Sequence, residues 1–433
     1  MGLRLDELDD TLAGVDTIAV TGRLRSVTGL TIEADVPGVR LGELCRIERG
    51  GEPLLVEVVG FREQVATLLP YGPADGLAAD DPVHPTGERL EVTTGESLLG
   101  RVLDGLGRPV DGGPALSGPS REVVAPAPPP LARRPIEQPL PLGVRGLDAF
   151  VTLGEGQRIG LFSGSGVGKS TLLGQIARGA DADVFVVCLV GERGREVKDF
   201  LEHCLGEAGR ARGVVVCATS DSPPLTRMRC AHVATSIAEG FREQGKRVLL
   251  LMDSVTRFAR AARDVGLAAG EAPARRGYPP SVLSALPGLI ERAGTDAGGS
   301  ITAVYTVLVE GDDDLDDPIA DELRGLLDGH IVLSRSLAAR GHYPAIDVPR
   351  SLSRLMPRLA SAEHRQAADA VRALVALHEQ KRDLITLGAY QRGSDPRLDA
   401  AIAAMPDIER FLRQQQHEHA DFEDTLTFLK ALT

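Results

Sequence analysis

Apolar residues fall along the chain in three successive patterns. From about residue 17 to 93, short apolar runs at Thr17–Val20, Leu30–Ala34, Leu54–Val59 and Val65–Leu69 alternate with turn residues at Gly29, Pro37–Gly38, Gly50–Gly51 and Gly72–Pro73. Short strands at about ten-residue spacing predict a small β-barrel. From about 143 to 360 the runs become continuous: Ile159–Phe162, Val184–Val190, Gly213–Thr219, Arg247–Asp253 and Ile301–Val309, with helical segments between them. Strands that are apolar throughout are buried on both faces, which predicts a mostly parallel α/β sheet. Beyond about 361, apolar residues recur three and four apart in Ala362–Thr386 and Arg397–Phe428, with one break at Gly393–Pro396. That spacing predicts helices.

The expected organisation is a barrel domain over 1–95, an α/β domain over 96–360 and a helical domain over 361–433. A Pro-rich connector at 117–141 lies within the second. Its centre, APAPPPLARRP (Ala125–Pro135), excludes a helix or a central strand. The glycine-rich stretch before it, Leu98–Gly113, reads as tight turns.

Charge changes the picture by removing partners. The chain has 433 residues, with 48 Lys and Arg against 61 Asp and Glu, a formal charge of 48 − 61 = −13. An acidic chain without a Lys/Arg run repels phosphate backbones, so no nucleic acid is expected. The barrel segment carries only Phe61 and Tyr71 as aromatics, too few for a surface that stacks bases. Five cysteines form no CxxC pair, which suits free thiols in a reducing compartment. The N-terminus, MGLRLDELDD, is acidic and lacks the apolar core of a signal peptide. No stretch approaches the roughly 18 apolar residues that span a membrane. A cytoplasmic protein is expected, with any membrane role peripheral.

The chemistry is carried by SGSGVGKST, Ser163–Thr171, which follows a strand and opens a helix. That is the setting of a phosphate-binding P-loop. Gly164, Gly166 and Gly168 let the backbone wrap phosphate closely, with Ser165 and Val167 between them and Thr171 closing the motif. Loop N–H groups and the helix N-terminus face the anion. Lys169 supplies a charge to the β- and γ-phosphates, and the Ser170 hydroxyl a ligand for Mg²⁺. The pattern usually begins with glycine where Ser163 stands. Asp253, at the end of an apolar strand, is placed to hold Mg²⁺, to cap the following helix, or both. Glu192, in GERGREVKDFLE, stands at another strand end; it either orients an attacking water or pairs with Arg193 or Arg195. The acidic run Gly311–Asp317 lacks EF-hand spacing and reads as a solvated loop.

With these residues in place, the chain resembles the ATPases of type III protein export, flagellar and injectisome, which are relatives of rotary F-type catalytic subunits. The segments that carry the resemblance include LLGRVLDGLGRPVDG, GLFSGSGVGKSTLLGQIAR, GERGREVKDFLE, LLLMDSVTRFARAARDVGLAAGE, DPIADELRGLLDGHIVLSR, HYPAIDV and GAYQRGSDPRLDAAI. The resemblance implies a RecA-like ATPase core with an N-terminal β-barrel and a C-terminal helical domain. It implies a homohexamer binding ATP and Mg²⁺ between subunits. It makes Glu192 the water-activating residue, Tyr343 the ring that packs on adenine, and Arg354 an arginine given to a neighbouring site, with Arg335 and Arg340 as competitors. Implied partners are stator and central-stalk proteins, chaperone–substrate complexes and a membrane export gate, with cargo unfolding as the task. Pro349–Arg350 departs from the family pattern, and the Gly311–Asp317 loop is one residue longer than usual. A rotary ATPase subunit and an RNA-translocating hexamer are the alternatives. Glu192 and Arg354 in one chain speak against the first, the acidic, aromatic-poor barrel against the second.

Overall fold

The computed structural model describes residues 20–309 and 317–433, in two compact units. One unit comprises the chain up to Leu90 together with Ala268–Gly270; the other holds the remainder.

In the first unit, β1 (Gly22–Thr28), β2 (Thr31–Asp35), β3 (Glu43–Ile47), β4 (Leu54–Arg62), β5 (Val65–Pro70) and β6 (Pro82–Arg89) close into a barrel in the order β1-β2-β5-β4-β3-β6. Closure leaves no open sheet edge. Ile32, Cys45, Ile47, Val56, Val58, Leu68 and Val83 fill its interior. The apolar runs expected from Leu30, Leu54 and Val65 correspond to β2, β4 and β5. Residues 17–19 of the expected run Thr17–Val20 lie outside the described residues. Strands β1 and β3 were not anticipated because charged residues interrupt their apolar positions (GRLRSVT, ELCRI), nor was β6, which carries two prolines and a glycine (PVHPTGER).

In the second unit, β7 (Glu91–Thr93) pairs with β9 (Ser120–Glu122), and β8 (Val102–Asp104) joins the main sheet. The other strands are β10 (Arg158–Ser163), β11 (Val184–Glu192), β12 (Gly213–Thr219), β13 (Arg247–Asp253), β14 (Gly294–Thr295), β15 (Ser300–Leu308), β16 (Gly329–Leu333) and β17 (Leu352–Ser353). The sheet runs β17-β16-β10-β15-β13-β11-β12-β8, with β14 alongside β15. Every pair from β8 to β16 along this path is parallel; β17 and β14 pair antiparallel. All nine residues of β11 are buried, as its apolar run requires. Parallel pairing brings Ser163, Glu192, Thr219, Asp253 and Leu308 to one edge, the carboxyl end where α/β sheets bind ligands.

The connector is irregular apart from β9 and a short 3₁₀ turn at Pro130–Ala132. Its arginines tie it down: Arg133 donates to the Ala293 carbonyl at 2.8 Å, and Arg134 to that of Asp296 at 2.8 Å. The acidic run Gly311–Asp317 lies outside the described residues except for Asp317, whose carboxylate caps the helix Pro318–Leu326 through the Ile319 and Ala320 amides.

The C-terminal helices share a core with the sheet unit. Val371, Ile408, Phe411 and Leu429 pack in one cluster with Leu147 and Phe150. The Phe150 and Phe411 rings meet edge to face at 6.3 Å. The helix expected over Arg397–Phe428 is two helices, Pro396–Leu412 and Phe422–Ala431. The sequence between, QQQHEHAD, has no glycine or proline to announce a break. Tertiary bonds impose it. Arg145 donates to the carbonyls of Phe411 and Arg413 at 2.7 and 2.5 Å. The Gln414 amide donates to Gly143 at 2.7 Å and to Glu418 at 2.9 Å, and its oxygen accepts the Arg145 N–H at 2.9 Å. A terminus held by this many side-chain bonds overrides helix propensity.

Candidate nucleotide site

The strand β10 ends at Ser163, and the helix Lys169–Gly179 begins five residues after Gly164. Gly166 and Gly168 hold φ of +78° and +90°, which side-chain-bearing residues rarely adopt. Their turn aims the first amides of an eleven-residue helix at one point. Ser163, which replaces the usual glycine, is fully buried; its carbonyl accepts the Val309 N–H at 3.1 Å, while its hydroxyl has no hydrogen-bond partner among the described residues. Ser165 and Ser170 are exposed at the loop, and Val167 is buried beneath it. The Arg335 guanidinium lies against Gly164, where a Cβ would meet its Nε at 2.5 Å.

Three charged groups converge on this loop. The Lys169 ammonium bonds to Oδ1 of Asp253 and lies 3.6 Å from Oε1 of Glu192. Glu192 is 8% exposed and Asp253 2%. The sheet dictates this meeting: β11 and β13 are neighbours, with Leu189 opposite Asp253. Glu192 therefore pairs with neither Arg193 nor Arg195. Besides Lys169, its partner is Arg257, whose guanidinium forms an ion pair with Oε1 from the first turn of the helix Val255–Ala268. The Thr306 hydroxyl on β15 donates to Oδ1 of Asp253 at 2.8 Å. Glu196 lies one turn beyond Glu192, and its carboxyl is held below its ordinary range, first of all by its contact with the Glu192 carboxyl.

Arg257, Glu196 and Thr306 were not singled out from sequence. The first two had a visible signal, each lying four residues beyond a named carboxylate on a helix. Thr306 had none, since its role depends on strand order.

Beside the loop opens a cavity of about 360 Å³ lined by Gly166, Gly168, Thr171, Tyr343 and Gln414–Gln416 among others. The Tyr343 ring is 45% exposed, and its edge would lie 3.3 Å from a Cβ on Gly168. A flat aromatic face beside a phosphate loop suits a stacked base. The glutamine segment that completes the wall is the unexpected break between the last two helices. It is bound to the ring's own backbone, the Gln414 backbone N–H donating to the Tyr343 carbonyl at 3.0 Å.

Arg354 is not brought to this place. It follows β17, and its N–H donates to the Asp328 carbonyl at 2.9 Å. Gly329 pairs with Ser353, whereas Leu333 pairs with Ser163 at the other end of β16. The two ends are four residues apart at about 3.3 Å each, roughly 13 Å, beyond the reach of an arginine. Its guanidinium donates to the Arg324 carbonyl at 3.1 Å and is exposed. The unusual Pro349–Arg350 pair forms a turn before it, in which the Arg350 N–H donates to Asp347 at 3.1 Å.

The donor set fits Mg²⁺. A serine hydroxyl at the helix start and an aspartate carboxylate opposite it are hard oxygen ligands, few in number, as Mg²⁺ shared with phosphates takes. No helix among the described residues is long and apolar enough to cross a membrane.

Comparisons with known proteins agree with this geometry. Residues 143–353 match the nucleotide-binding domain of the ATP synthase alpha/beta family, 24–87 its β-barrel domain, and 360–431 the C-terminal domain of the type III secretion ATPase EscN. The chain is 52% identical to the flagellum-specific ATP synthase of Treponema pallidum, covering 96% of this chain and 94% of that one. It is 51% identical to the type 3 secretion system ATPase of Sinorhizobium fredii, covering 99% and 96%. Among solved structures it is similar to the assembled ATPase EscN in complex with its central stalk EscO, from the type III secretion system of enteropathogenic E. coli. The TM-score there is 0.88 at 46% identity, covering 95% of this chain and 99% of that one.

Proposed function

The chain belongs to the ATPases of type III protein export, flagellar and secretion-system forms, and from that premise we propose that it is the ATP-hydrolysing motor that releases chaperones from export substrates and unfolds the cargo at a membrane gate. The observation that carries the reading is the convergence of Lys169, Asp253, Glu192 and Arg257 at the mouth of the P-loop.

Each group has a task set by its position. Loop amides, the helix N-terminus and Lys169 bind the β- and γ-phosphates. Ser170 and Asp253 would hold Mg²⁺, which when bound neutralises charge on the phosphates. Glu192, buried beside the loop, accepts a hydrogen bond from the attacking water and aims it. Tyr343 packs on adenine. Arg354, too far from its own loop, serves the loop of a neighbouring copy, where it stabilises charge spread over the transferred phosphoryl group. That division of labour calls for a ring, read here as a homohexamer, in which a central stalk and stator proteins act as partners.

The test uses the full chain with a chaperone–cargo complex from the same bacterium. Mg-ATP should release cargo and Lys169→Ala should abolish release. ATP hydrolysis without any release would leave an ATPase and overturn the export role.

A further inference from the structure

We infer that Thr306 is a positioning residue that keeps Asp253 set for Mg²⁺ after nucleotide draws Lys169 away; the inference rests on the reading of Asp253 as the Mg²⁺-side carboxylate. Strand β15 runs between β13 and β10, with Tyr305 opposite Met252 and Thr306 opposite Leu161. It thus separates the carboxylate strand from the P-loop strand and contacts both. Thr306 is fully buried, as are Val304, Tyr305 and Val307 in the same strand. A hydroxyl in such a place is costly unless bonded. Its bond goes to Oδ1 of Asp253 at 2.8 Å, a charge-assisted one.

Lys169 uses that same oxygen. Incoming nucleotide phosphates compete with Asp253 for that ammonium. When Lys169 turns to phosphate, Thr306 remains as the buried donor on Oδ1. It then fixes the plane of the carboxylate, and Oδ2 is the oxygen left to face a cation or its water. Without the hydroxyl, an anion 2% exposed would lose its standing partner and rotate. Groups that orient a metal-binding residue from behind typically change metal affinity about 10- to 100-fold when removed.

The experiment measures affinity for a fluorescent ATP analogue, in excess Mg²⁺ and in EDTA, for the full chain and for Thr306→Val, Thr306→Ser and Asp253→Asn. Thermal unfolding of each variant accompanies it. Thr306→Val should bind as wild type in EDTA but lose about tenfold of the Mg²⁺-dependent gain. Thr306→Ser, which keeps a donor, should restore it. Should Thr306→Val fail to fold, Thr306→Ala carries the same comparison. A full Mg²⁺ gain in the hydroxyl-less variant, with the gain lost in Asp253→Asn, would overturn the role of Thr306 and leave that of Asp253. A full gain in Asp253→Asn would instead overturn the reading of Asp253 itself.

Discussion

Arg257 and Lys169 meet the same oxygen of Glu192: the guanidinium forms an ion pair with Oε1, and the ammonium lies 3.6 Å from it. The carboxylate assigned to water is thus occupied by two cations that an incoming phosphate would attract. Binding of ATP offers both cations a stronger anion and releases Glu192 for its task.

Arg257→Ala should therefore lower kcat. A charge-assisted hydrogen bond is worth about 1.5–3 kcal/mol, or roughly 10- to 150-fold. Arg257→Lys should recover part of the loss. Steady-state phosphate release decides it, and an unchanged kcat in the alanine variant would remove Arg257 from the chemistry.

Glu192→Gln should still bind ATP while turnover falls about 10²- to 10⁴-fold, because only the general-base contribution is removed. Lys169→Ala should weaken binding as well as turnover. Equilibrium binding beside single-turnover hydrolysis separates the two, and wild-type turnover in the glutamine variant would refute the role of Glu192.

The distance of Arg354 from its own loop gives a test by mixing. Arg354→Ala and Glu192→Gln should each be nearly inactive, since an arginine supplied by a neighbour is worth about 10³ to 10⁵ in GTPases. In mixed rings some interfaces receive an intact Glu192 and an intact Arg354, and those should regain activity. Mixed rings, proven by exchange of labelled subunits, that stay as inactive as the parents would rule out the in-trans assignment.

Acid should destabilise the fold through buried imidazoles. Burial, first of all, lowers the pKa of both His342 and His364 from the ordinary value. The His364 Nε2–H donates to the Ala149 carbonyl at 2.8 Å. The folded chain keeps these rings neutral, while the unfolded chain protonates them below about pH 6.5. The unfolded state then binds more protons, so stability present above that pH is lost as pH falls towards the folded values. Each ring contributes at most about 1.4 kcal/mol per pH unit. Asp148 opposes this, since burial pushes its carboxyl up to about 7 and its protonation favours the fold as pH falls; the imidazole contribution is therefore read as a difference between variants in urea unfolding at pH 7 and pH 5. His364→Gln, which keeps a donor but does not titrate, should have a midpoint at pH 5 that is higher, relative to its own at pH 7, than in wild type; an equal change in both proteins would clear His364.

The sequence revealed most of the sheet, because β11, β12 and β13 are buried on both faces and so read as unbroken apolar runs. Barrel strands that alternate charge with apolar residues did not stand out. In the site, Glu192 and Asp253 were legible because each sits where a strand stops, and Lys169 because it follows a glycine-rich loop and opens a helix. Thr306 and Gln414–Gln416 were not. Their partners, Asp253 and Tyr343, lie more than fifty residues away in sequence, and no local pattern encodes such a meeting.

The two ends of β16 carry a further consequence. Ser163 pairs at one end and Ser353, beside Arg354, at the other. A contact that lends Arg354 to another copy's P-loop joins two different faces of one chain, so it cannot satisfy itself in a pair. Each copy added leaves one donor face and one acceptor face open. Such head-to-tail growth stops only when the turn per copy closes on itself, and otherwise continues as a filament. The angle at that contact therefore sets the number of motors that fire together, and a substitution that altered it would change the stoichiometry of the machine while leaving every catalytic group in place.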